Sequence, residues 1–232
     1  MVRFLSCDWG TSTLRLRLIQ VPELSVLAEV SSAEGIAKTY RDWQAAGADN
    51  GSNRLDFYFT VLDAHRQQLE AKAQSSLTGL PIIISGMASA SIGMLELPYQ
   101  PLPLALDGSN VITQFIPAGA SFAYDVYLIS GVSTASDVMR GEETQLIGFA
   151  TLAPNEATEQ LYIFPGTHAK HIWVKQKQAT YFKTYMTGEF FSLLSKNSIL
   201  KASVTEDLDL PVDKVFTSFS AGVRAAKGAN LL

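Results

Sequence analysis

Residues 8–15 read Asp-Trp-Gly-Thr-Ser-Thr-Leu-Arg, and they lie between two runs that have the period of β-strands, residues 2–8 and 13–20. In the second run leucines alternate with arginines, which is the pattern of a strand with one buried and one polar face. The sequence therefore predicts two strands joined by a tight turn that carries an aspartate followed by Trp-Gly-Thr-Ser.

This turn carries groups that suit a phosphate and its metal ion. The Asp8 carboxylate can hold a water bound to Mg²⁺, because hard cations take oxygen ligands. Gly10 lets the backbone approach a phosphate closely, and the amides and hydroxyls of Thr11 and Ser12 can donate to phosphate oxygens. An ordinary polar β-turn is the alternative, and a recurrence of the arrangement later in the chain favours the phosphate site.

The composition bounds the class of protein. A chain of 232 residues allows one large domain or two small ones. Its 47% hydrophobic and 17% charged content is that of a well-packed globular protein. Since the net charge is −4 and no cluster of lysine and arginine occurs, we expect no nucleic-acid partner.

Several features favour a cytoplasmic protein. Cys7 is the one cysteine, so an intrachain disulfide is excluded and a reduced residue in the first strand is expected. Arg3 and Asp8 interrupt the start of the chain, so we expect no signal peptide. Apolar runs are shorter than a membrane span, so we expect no membrane association.

Periodicity divides the first part of the chain into strands and helices. Apolar positions three and four residues apart predict a helix over residues 57–72. The predicted order is three strands (2–8, 13–20, 26–30), the helix, a strand (81–85), an irregular segment (95–104), a strand (126–130) and a helix (138–150) capped by Ser136 or Asp137.

The same pattern restarts after a predicted linker at residues 154–160. The predicted elements are three strands followed by two helices, at residues 161–164, 169–177, 180–186, 188–195 and 218–232. Pro165-Gly166-Thr167-His168 closes the first of these strands. A β-meander followed by a helix thus occurs twice, each time with Gly-Thr at its first turn, and repetition is stronger evidence than either copy alone.

Two domains that each open with such a meander resemble the actin, sugar-kinase and heat-shock ATPase superfamily, in which the nucleotide lies in the cleft between the domains. A narrower similarity is to the 2-dehydro-3-deoxygalactonokinase family. It is carried by six stretches, namely residues 8–15, Ser85-Gly86-Met87, Leu97-Pro98-Tyr99, the Asp-Val-Met-Arg-Gly-Glu-Glu-Thr-Gln-Leu run at 137–146, Pro-Gly-Thr-His-Ala-Lys at 165–170 and Met-Thr-Gly-Glu at 186–189.

The resemblance implies an α/β fold of two ribonuclease-H-like, actin-like ATPase domains, of which the second is incomplete. The first, residues 1–153, would bind the sugar acid and phosphate, and the second, residues 154–232, would be a partial nucleotide-binding domain. The implied activity is transfer of the ATP γ-phosphate to the terminal hydroxyl of 2-dehydro-3-deoxy-D-galactonate in galactonate catabolism, with ATP and Mg²⁺. The chain departs from the family by being shorter, and no Gly-rich adenosine-binding segment follows residues 220–222.

The phosphate-binding residues implied by the resemblance come from both turns. Gly10, Thr11 and Ser12 would form the first clamp, and Asp8 would hold the Mg²⁺-bound water. The second clamp and its neighbours, for which a surface hairpin is the alternative, are Gly166, Thr167, His168 and Lys170.

The substrate hydroxyl needs a general base or an orienting carboxylate. The candidates are Asp137, Glu142 and Glu143; a helix N-cap is the alternative for Asp137. Adjacent residues of a helix point about 100° apart. At least one of the two glutamates is therefore expected to have a structural role.

The sugar acid is expected to meet two arginines and the end of a strand. Arg15 could neutralise the transferred phosphoryl group or the substrate carboxylate. Arg140 is a candidate for the carboxylate because arginine binds carboxylates through two parallel hydrogen bonds, and an ion pair with Glu143 is the alternative. Ser85, Gly86 and Met87 end a predicted strand, where α/β proteins place ligands.

Three functions compete at this point. The first is the sugar-acid kinase, and the second is a non-catalytic sugar-acid-binding remnant that lacks a complete nucleotide site. Another phosphotransferase or a phosphatase of the superfamily is the third. Because elements of the second domain are missing, uncovered apolar surface is expected to cause association into homo-oligomers or limited solubility.

Overall fold

The computed structural model describes residues 2–47, 53–152, 158–204 and 211–227. The chain divides into two compact units, Met1–Tyr185 and Met186–Leu232. The predicted domain boundary at residues 153 and 154 stays a prediction, and residues 153–157 lie outside the described part of the chain.

The first unit is a mixture of strands and helices. In chain order its elements are β1 (Val2–Trp9), β2 (Leu14–Val21), β3 (Ser25–Ser32), α1 (Ile36–Ala45), α2 (Arg54–Ala73), β4 (Ile82–Gly86), β5 (Gln100–Pro101), β6 (Leu104–Ala105), β7 (Thr113–Ile116), β8 (Val126–Ile129), β9 (Val132–Ser133), β10 (Val138–Met139), α3 (Glu142–Leu152), β11 (Glu159–Phe164), β12 (Ala169–Lys175) and β13 (Gln178–Tyr185).

A six-stranded sheet with the order β3-β2-β1-β4-β8-β7 forms the first half of this unit. The first three strands are antiparallel, as the meander pattern predicted, whereas β4 lies parallel to β1 and β8 parallel to β4. The carboxyl ends of β1 and β4 therefore meet at one edge of the sheet, with Asp8 beside Ser85 and Trp9 beside Gly86.

Alternating apolar side chains of this sheet pack against α2 and form the larger core. Leu5, Cys7 and Trp9 of β1 are fully buried, and so is the leucine series of β2 that begins at Leu14. Burying one such side chain stabilises the fold by roughly 1.5–3 kcal/mol. The Trp9 indole donates to the carbonyl of Glu34 at 2.9 Å, so its one polar group is satisfied inside the core.

Two smaller sheets form the second half of the first unit. Their strand orders are β10-β9-β5 and β11-β12-β13-β6. The predicted second meander is present as β11, β12 and β13, and β6 from the earlier part of the chain extends it by pairing Ala105 with Gln178. A separate core holds these sheets together, with Leu104, Met139, Leu146, Ile172 and Phe182 buried in it.

The prediction of a helix over residues 138–150 is wrong at its start. Val138 and Met139 pair with Ser133 and Val132 as a strand, and the helix begins only at Glu142. Gly141 between them has φ +104, a conformation that no α-helix contains. Ser136 and Asp137 are therefore not caps of this helix.

Some elements were not predicted. α1 begins at Ile36 and was missed, although Ile36, Tyr40 and Trp43 recur at the spacing of one helix face. β7 is a largely exposed strand of four residues that is held by its pairing to β8. β7 thus depends on a contact distant in sequence, which a local pattern does not record.

The second unit contains α4 (Thr187–Asn197), a 3-10 turn (Ile199–Ser203) and α5 (Val212–Ala226). The last predicted helix thus begins earlier than residue 218, and residues 228–232 lie outside the described residues. Within the described ranges, no helix combines the length and apolar character needed to cross a membrane.

Candidate active site

A cavity of about 250 Å³ opens in the first unit where the ends of β1, β4 and β11 approach the start of α3. Its lining comes from four places along the chain, with Asp8 and Gly10, then Gly86, then Arg140, Gly141, Glu142 and Gln145, and finally residues 164–168. Both predicted Gly-Thr turns therefore contribute to one cavity.

The first turn is closed by a hydrogen bond from the Gly10 amide to the Thr13 carbonyl at 2.9 Å. Thr11 and Ser12 are exposed at the tip of the turn. Of the three predicted clamp residues, Gly10 lines the cavity, and Thr11 and Ser12 flank it along the chain.

The start of α1 holds this turn in place from behind. The Ile36 amide donates to the Gly10 carbonyl at 2.9 Å, and the Ala37 amide donates to the Thr11 carbonyl at 3.1 Å. A Cβ at Gly35 would lie 2.3 Å from the carbonyl carbon of Ser12, so only glycine fits there. Gly35 is a residue that sequence reasoning missed, although a glycine directly before a helix was its signal.

Asp8 and Arg15 face each other across the β1–β2 pair. Their Cα positions are partners in the register, and Nη1 of Arg15 lies 3.3 Å from Oδ2 of Asp8. The side chains are 43% and 37% exposed respectively, so the pair contributes at most about 1 kcal/mol. Glu29 is also near, with Oε1 4.0 Å from Nε of Arg15. Asp8 lines the cavity. Arg15, on the neighbouring strand, neutralises the charge of the Asp8 carboxylate.

Gly86, the last residue of β4, is closely packed against the backbone of β1. It has φ +93, and a Cβ there would lie 2.8 Å from the carbonyl oxygen of Trp9. Ser85 sits beside Asp8 in the register, and Met87 begins a 3-10 turn after the strand. Of these three predicted substrate residues, Gly86 lines the cavity.

Arg140 is held by three neighbours that follow β4. Its Nη1 donates to Oγ of Ser89 at 2.6 Å, and its Nη2 donates to the carbonyl of Leu97 at 3.2 Å. Its guanidinium carbon lies 4.0 Å from the centre of the Tyr99 ring. Within the described part of the chain Arg140 forms no ion pair with Glu143, because the Glu143 carboxylate accepts from the Gly141 amide.

Two buried polar atoms at the cavity have no partner among the residues that the structure describes. They are Nε of Arg140, a donor, and Oε2 of Glu142, an acceptor. Burial raises the pKa of Glu142, and hydrogen bonds from backbone amides, followed by the charge of Lys170, partly oppose this rise. A ligand that brings an acceptor to Arg140 and a hydroxyl donor to Glu142 would satisfy both atoms.

Glu143 points away from the cavity, unlike its neighbour Glu142. It is 1% exposed, and its two carboxylate oxygens accept from the Gly141 amide at 2.9 and 2.8 Å. Burial raises its pKa to about 7. The side chain thus ties down the backbone of Gly141, the residue between Arg140 and Glu142.

Asp137 and Lys170 meet at Thr184 of β13 and do not line the cavity. The Asp137 carboxylate accepts from the amide and hydroxyl of Thr184 at 2.7 and 2.8 Å and from the Val138 amide at 2.8 Å. Lys170 is 6% exposed and donates to Oγ1 of Thr184 at 2.7 Å and to the Val138 carbonyl at 2.8 Å. This geometry favours a structural role for both residues, in linking β10 to β12 and β13.

The second turn forms the opposite wall of the cavity. Gly166, Thr167 and His168 line it, together with Phe164 and Pro165, which were not predicted as site residues. Among the described residues no atom lies within 4 Å of a Cβ built at Gly166. The second turn therefore has free space around it, whereas the first turn packs closely against Gly35.

Two carboxylates line the cavity, Asp8 and Glu142, and Asp8 is the one predicted to bind a metal ion. Within the described residues no group of three His, Cys, Asp or Glu side chains is placed to hold a metal ion. Asp8 alone fits Mg²⁺, which keeps several waters and binds through one or two carboxylates and the substrate phosphates. It does not fit a structural zinc site, which takes four protein ligands.

Comparison with known proteins gives a consistent result. The family described as 2-keto-3-deoxy-galactonokinase matches residues 8–232. A probable 2-dehydro-3-deoxygalactonokinase of Rhizobium meliloti (strain 1021) is 36% identical over 207 residues, which cover 88% of this chain and 60% of that protein. The 2-dehydro-3-deoxygalactonokinase of Escherichia coli (strain K12) is 28% identical over 225 residues, which cover 95% of this chain and 64% of that protein.

A solved structure agrees with these relatives. The crystal structure of a Sinorhizobium meliloti protein, provisionally assigned as a 2-dehydro-3-deoxygalactonokinase, has a TM-score of 0.67 and 33% identity over 88% of this chain and 60% of that one. The chain thus spans 60% and 64% of the length of the two curated relatives. Because the family match runs from Asp8 through residue 232, this chain belongs to the 2-keto-3-deoxy-galactonokinase family.

Proposed function

We propose that this chain carries the catalytic and sugar-acid residues of a kinase that transfers the ATP γ-phosphate to the terminal hydroxyl of 2-dehydro-3-deoxy-D-galactonate. The two curated relatives carry the name of that enzyme. The observation that carries the proposal is the partnerless Oε2 of Glu142 at a cavity lined by both Gly-Thr turns. A hydroxyl acceptor and a phosphate donor can meet in such a cavity.

Glu142 is the general base in this proposal. Transfer forms a bond between the substrate oxygen and the γ-phosphorus, and it breaks the bond from that phosphorus to the oxygen it shares with the β-phosphorus. The hydroxyl proton passes to Oε2 of Glu142. Since burial raises the pKa of Glu142, its carboxylate is a stronger base than an exposed glutamate.

Charged groups around the cavity bind and orient the two substrates. Arg140 takes the carboxylate of the sugar acid, using donors that its neighbours leave available. The turns at Gly10 and Gly166 take phosphate oxygens, together with Thr11, Ser12 and Thr167. Mg²⁺, when bound near Asp8, would neutralise charge on the phosphates. Arg15 would then turn from Asp8 toward the transferred phosphoryl group.

We further propose that the six-stranded sheet is a ribonuclease-H-like domain of the actin-like ATPase kind. A meander followed by parallel β4 and β8, in the order β3-β2-β1-β4-β8, supports this assignment. The meander β11-β12-β13 would be the start of a second such domain. An ATP-dependent step in sugar-acid breakdown agrees with the cytoplasmic location expected from the sequence.

Isothermal titration of the chain with 2-dehydro-3-deoxygalactonate and then with Mg·ATP, followed by an assay of ADP release, tests the proposal. We expect Glu142→Gln to keep sugar-acid binding and to lower turnover by about 10²–10⁴-fold, the usual contribution of a general base. Glu159→Gln is the matched control, because Glu159 is an exposed carboxylate paired with Lys175.

The outcomes separate the competing functions. Binding of both ligands with turnover supports the kinase. Binding of the sugar acid alone would instead support a sugar-acid-binding protein without a complete nucleotide site. Turnover that Glu142→Gln leaves at the wild-type rate would remove Glu142 from the mechanism.

A further inference from the structure

The Leu97-Pro98-Tyr99 segment has no part in the chemistry described so far, yet it surrounds Arg140. The Leu97 carbonyl accepts from Nη2 of Arg140, and the Tyr99 ring lies 4.0 Å from the guanidinium carbon. Ser89, which is fully buried, accepts from Nη1. The guanidinium therefore has a hydrogen bond at each terminal nitrogen and an aromatic face against it.

The backbone around Tyr99 is itself held in place. The Gln100 amide donates to the Gly131 carbonyl at 2.9 Å, and the Ser130 hydroxyl donates to the Pro98 carbonyl. Hydrogen bonds on both sides of Tyr99 thus attach it to the end of β8. The ring has little freedom to leave Arg140 while these bonds remain.

Gly131 provides the space for this arrangement. A Cβ there would lie 2.4 Å from Cγ of Arg140 and 3.0 Å from Cε1 of Tyr99. The stem of Arg140 therefore passes directly over the backbone of Gly131, between the strand end and the Tyr99 ring. Any other residue would displace one of the two side chains.

A fixed arginine binds an anion at lower cost than a mobile one. Arginine loses about 2 kcal/mol of rotamer freedom when it is ordered, and here the fold has ordered it before a ligand arrives. Its Nε is buried and has no partner among the described residues. The N–H groups of Arg140 that have no partner therefore point in fixed directions.

We propose that Tyr99 is a positioning residue, which holds Arg140 so that the site selects substrates bearing a carboxylate over neutral sugars. The inference rests on the proposed function, in which Arg140 binds the sugar acid. Tyr99 acts through Arg140 and touches no reacting atom. Selectivity for the acid therefore depends on an aromatic ring at residue 99, and its hydroxyl is dispensable.

The test compares Tyr99→Leu with Tyr99→Phe in the full chain. Titration with the sugar acid should show about tenfold weaker binding for Tyr99→Leu, within the range of a cation–π contact and its ordering effect. Tyr99→Phe should stay within about twofold of wild type, since it keeps the ring. Binding of Mg·ATP and of the neutral analogue with a hydroxymethyl group in place of the carboxylate should be unchanged in both variants.

A second measurement does not need the substrate. Phenylglyoxal modifies mobile arginines faster than held ones, and peptide mapping reports the rate at Arg140. We expect the rate to rise several-fold in Tyr99→Leu and not in Tyr99→Phe, with Tyr127→Leu, a remote half-exposed tyrosine, as the control.

Failure of the proposed function and failure of the positioning role of Tyr99 give different results. A wild-type chain that binds no sugar acid contradicts the proposed function, and the phenylglyoxal rates still test Tyr99. Unchanged modification and unchanged acid binding in Tyr99→Leu, or equal losses in Tyr99→Phe, would overturn the positioning role. Equal weakening of the acid and its neutral analogue would also overturn the positioning role, because the loss would not be selective for the carboxylate.

Discussion

A Cβ atom at Gly141 would lie 3.5 Å from the Cα of Gly86, so the end of β4 and the approach to α3 pack backbone against backbone. Both glycines have φ in the left-handed region, at +93 and +104. This contact brings Arg140 and Glu142, on either side of Gly141, to the sheet edge where Asp8 lies. Two residues without side chains thus assemble the cavity.

Gly86→Ala should therefore destabilise the fold strongly. The new Cβ would meet the Trp9 carbonyl at 2.8 Å in a strained conformation, so we expect a loss of unfolding free energy on the order of 3 kcal/mol. Gly166→Ala, in the open turn, should stay within about 0.5 kcal/mol of wild type. Urea denaturation of both variants measures the difference, and equal stabilities would contradict this account of the sheet edge.

Asp8→Asn should separate catalysis from stability. The Asp8–Arg15 pair is half exposed, so its loss should change the unfolding free energy by less than about 1 kcal/mol. The Mg²⁺-dependent turnover should fall at least about 10²-fold, because the neutral amide lacks the negative charge of the carboxylate through which Mg²⁺ is bound. Glu29→Gln, which removes a carboxylate near Arg15 outside the cavity, is the control. A Mg²⁺ dependence that Asp8→Asn leaves unaltered would exclude Asp8 as the metal residue.

Glu143 should make stability depend on pH in a defined direction. Burial raises its pKa from 4.5 to about 7, so between these values the folded chain holds a proton that the unfolded chain has released. Its contribution to stability is therefore complete below pH 4.5 and is lost as the pH rises through about 7. At about 1.4 kcal/mol for each pK unit, the loss is roughly 3 kcal/mol.

Thermal unfolding of wild type and Glu143→Gln at several pH values checks this effect. The glutamine keeps one oxygen for the Gly141 amide and cannot ionise, so its stability relative to wild type should increase between pH 4.5 and 8. The stability of Glu159→Gln relative to wild type should not increase over this pH range, because the Lys175 hydrogen bond lowers the pKa of Glu159. Parallel curves for Glu143→Gln and wild type would show that Glu143 does not titrate there.

Asp137→Ala should act on the fold more than on the chemistry. It leaves the amide and hydroxyl of Thr184 without their acceptor, so we expect a loss of about 1–3 kcal/mol in unfolding free energy. Thr184→Val keeps the amide bond to Asp137 and should cost less. A variant that unfolds like wild type but has lost turnover would return Asp137 to the list of catalytic candidates.

Exposed apolar side chains predict that the isolated chain associates. Leu161, Ile163, Trp173 and Tyr181 stand on one face of the sheet β11-β12-β13 and are at least one third exposed. Among the described strands, β11 pairs with β12 alone and leaves an open edge. Sedimentation velocity over a range of concentrations should show self-association that Ile163→Lys weakens. A monomer at every concentration would contradict the prediction.

Much of the fold could be predicted because it depends on neighbouring residues. The alternation along residues 14–18 identified β2, and the apolar run at 82–84 identified β4. The register places Arg15 across the turn from Asp8. α3 was placed too early because the pairing of Val138 with Ser133, and the conformation of Gly141, override a helical pattern.

Local alternation and turn chemistry were enough to identify the two meanders and the Gly-Thr turns, since strand period and glycine turns act over a few residues. The roles of Glu142 and Glu143 could not be separated in that way, because adjacent side chains diverge and only packing decides which one meets the cavity. The same holds for Lys170, drawn to Thr184, and for Arg140, held by Tyr99 from 41 positions earlier in the chain. Such contacts join residues distant in sequence, and burial and hydrogen bonding select them only after the chain has folded.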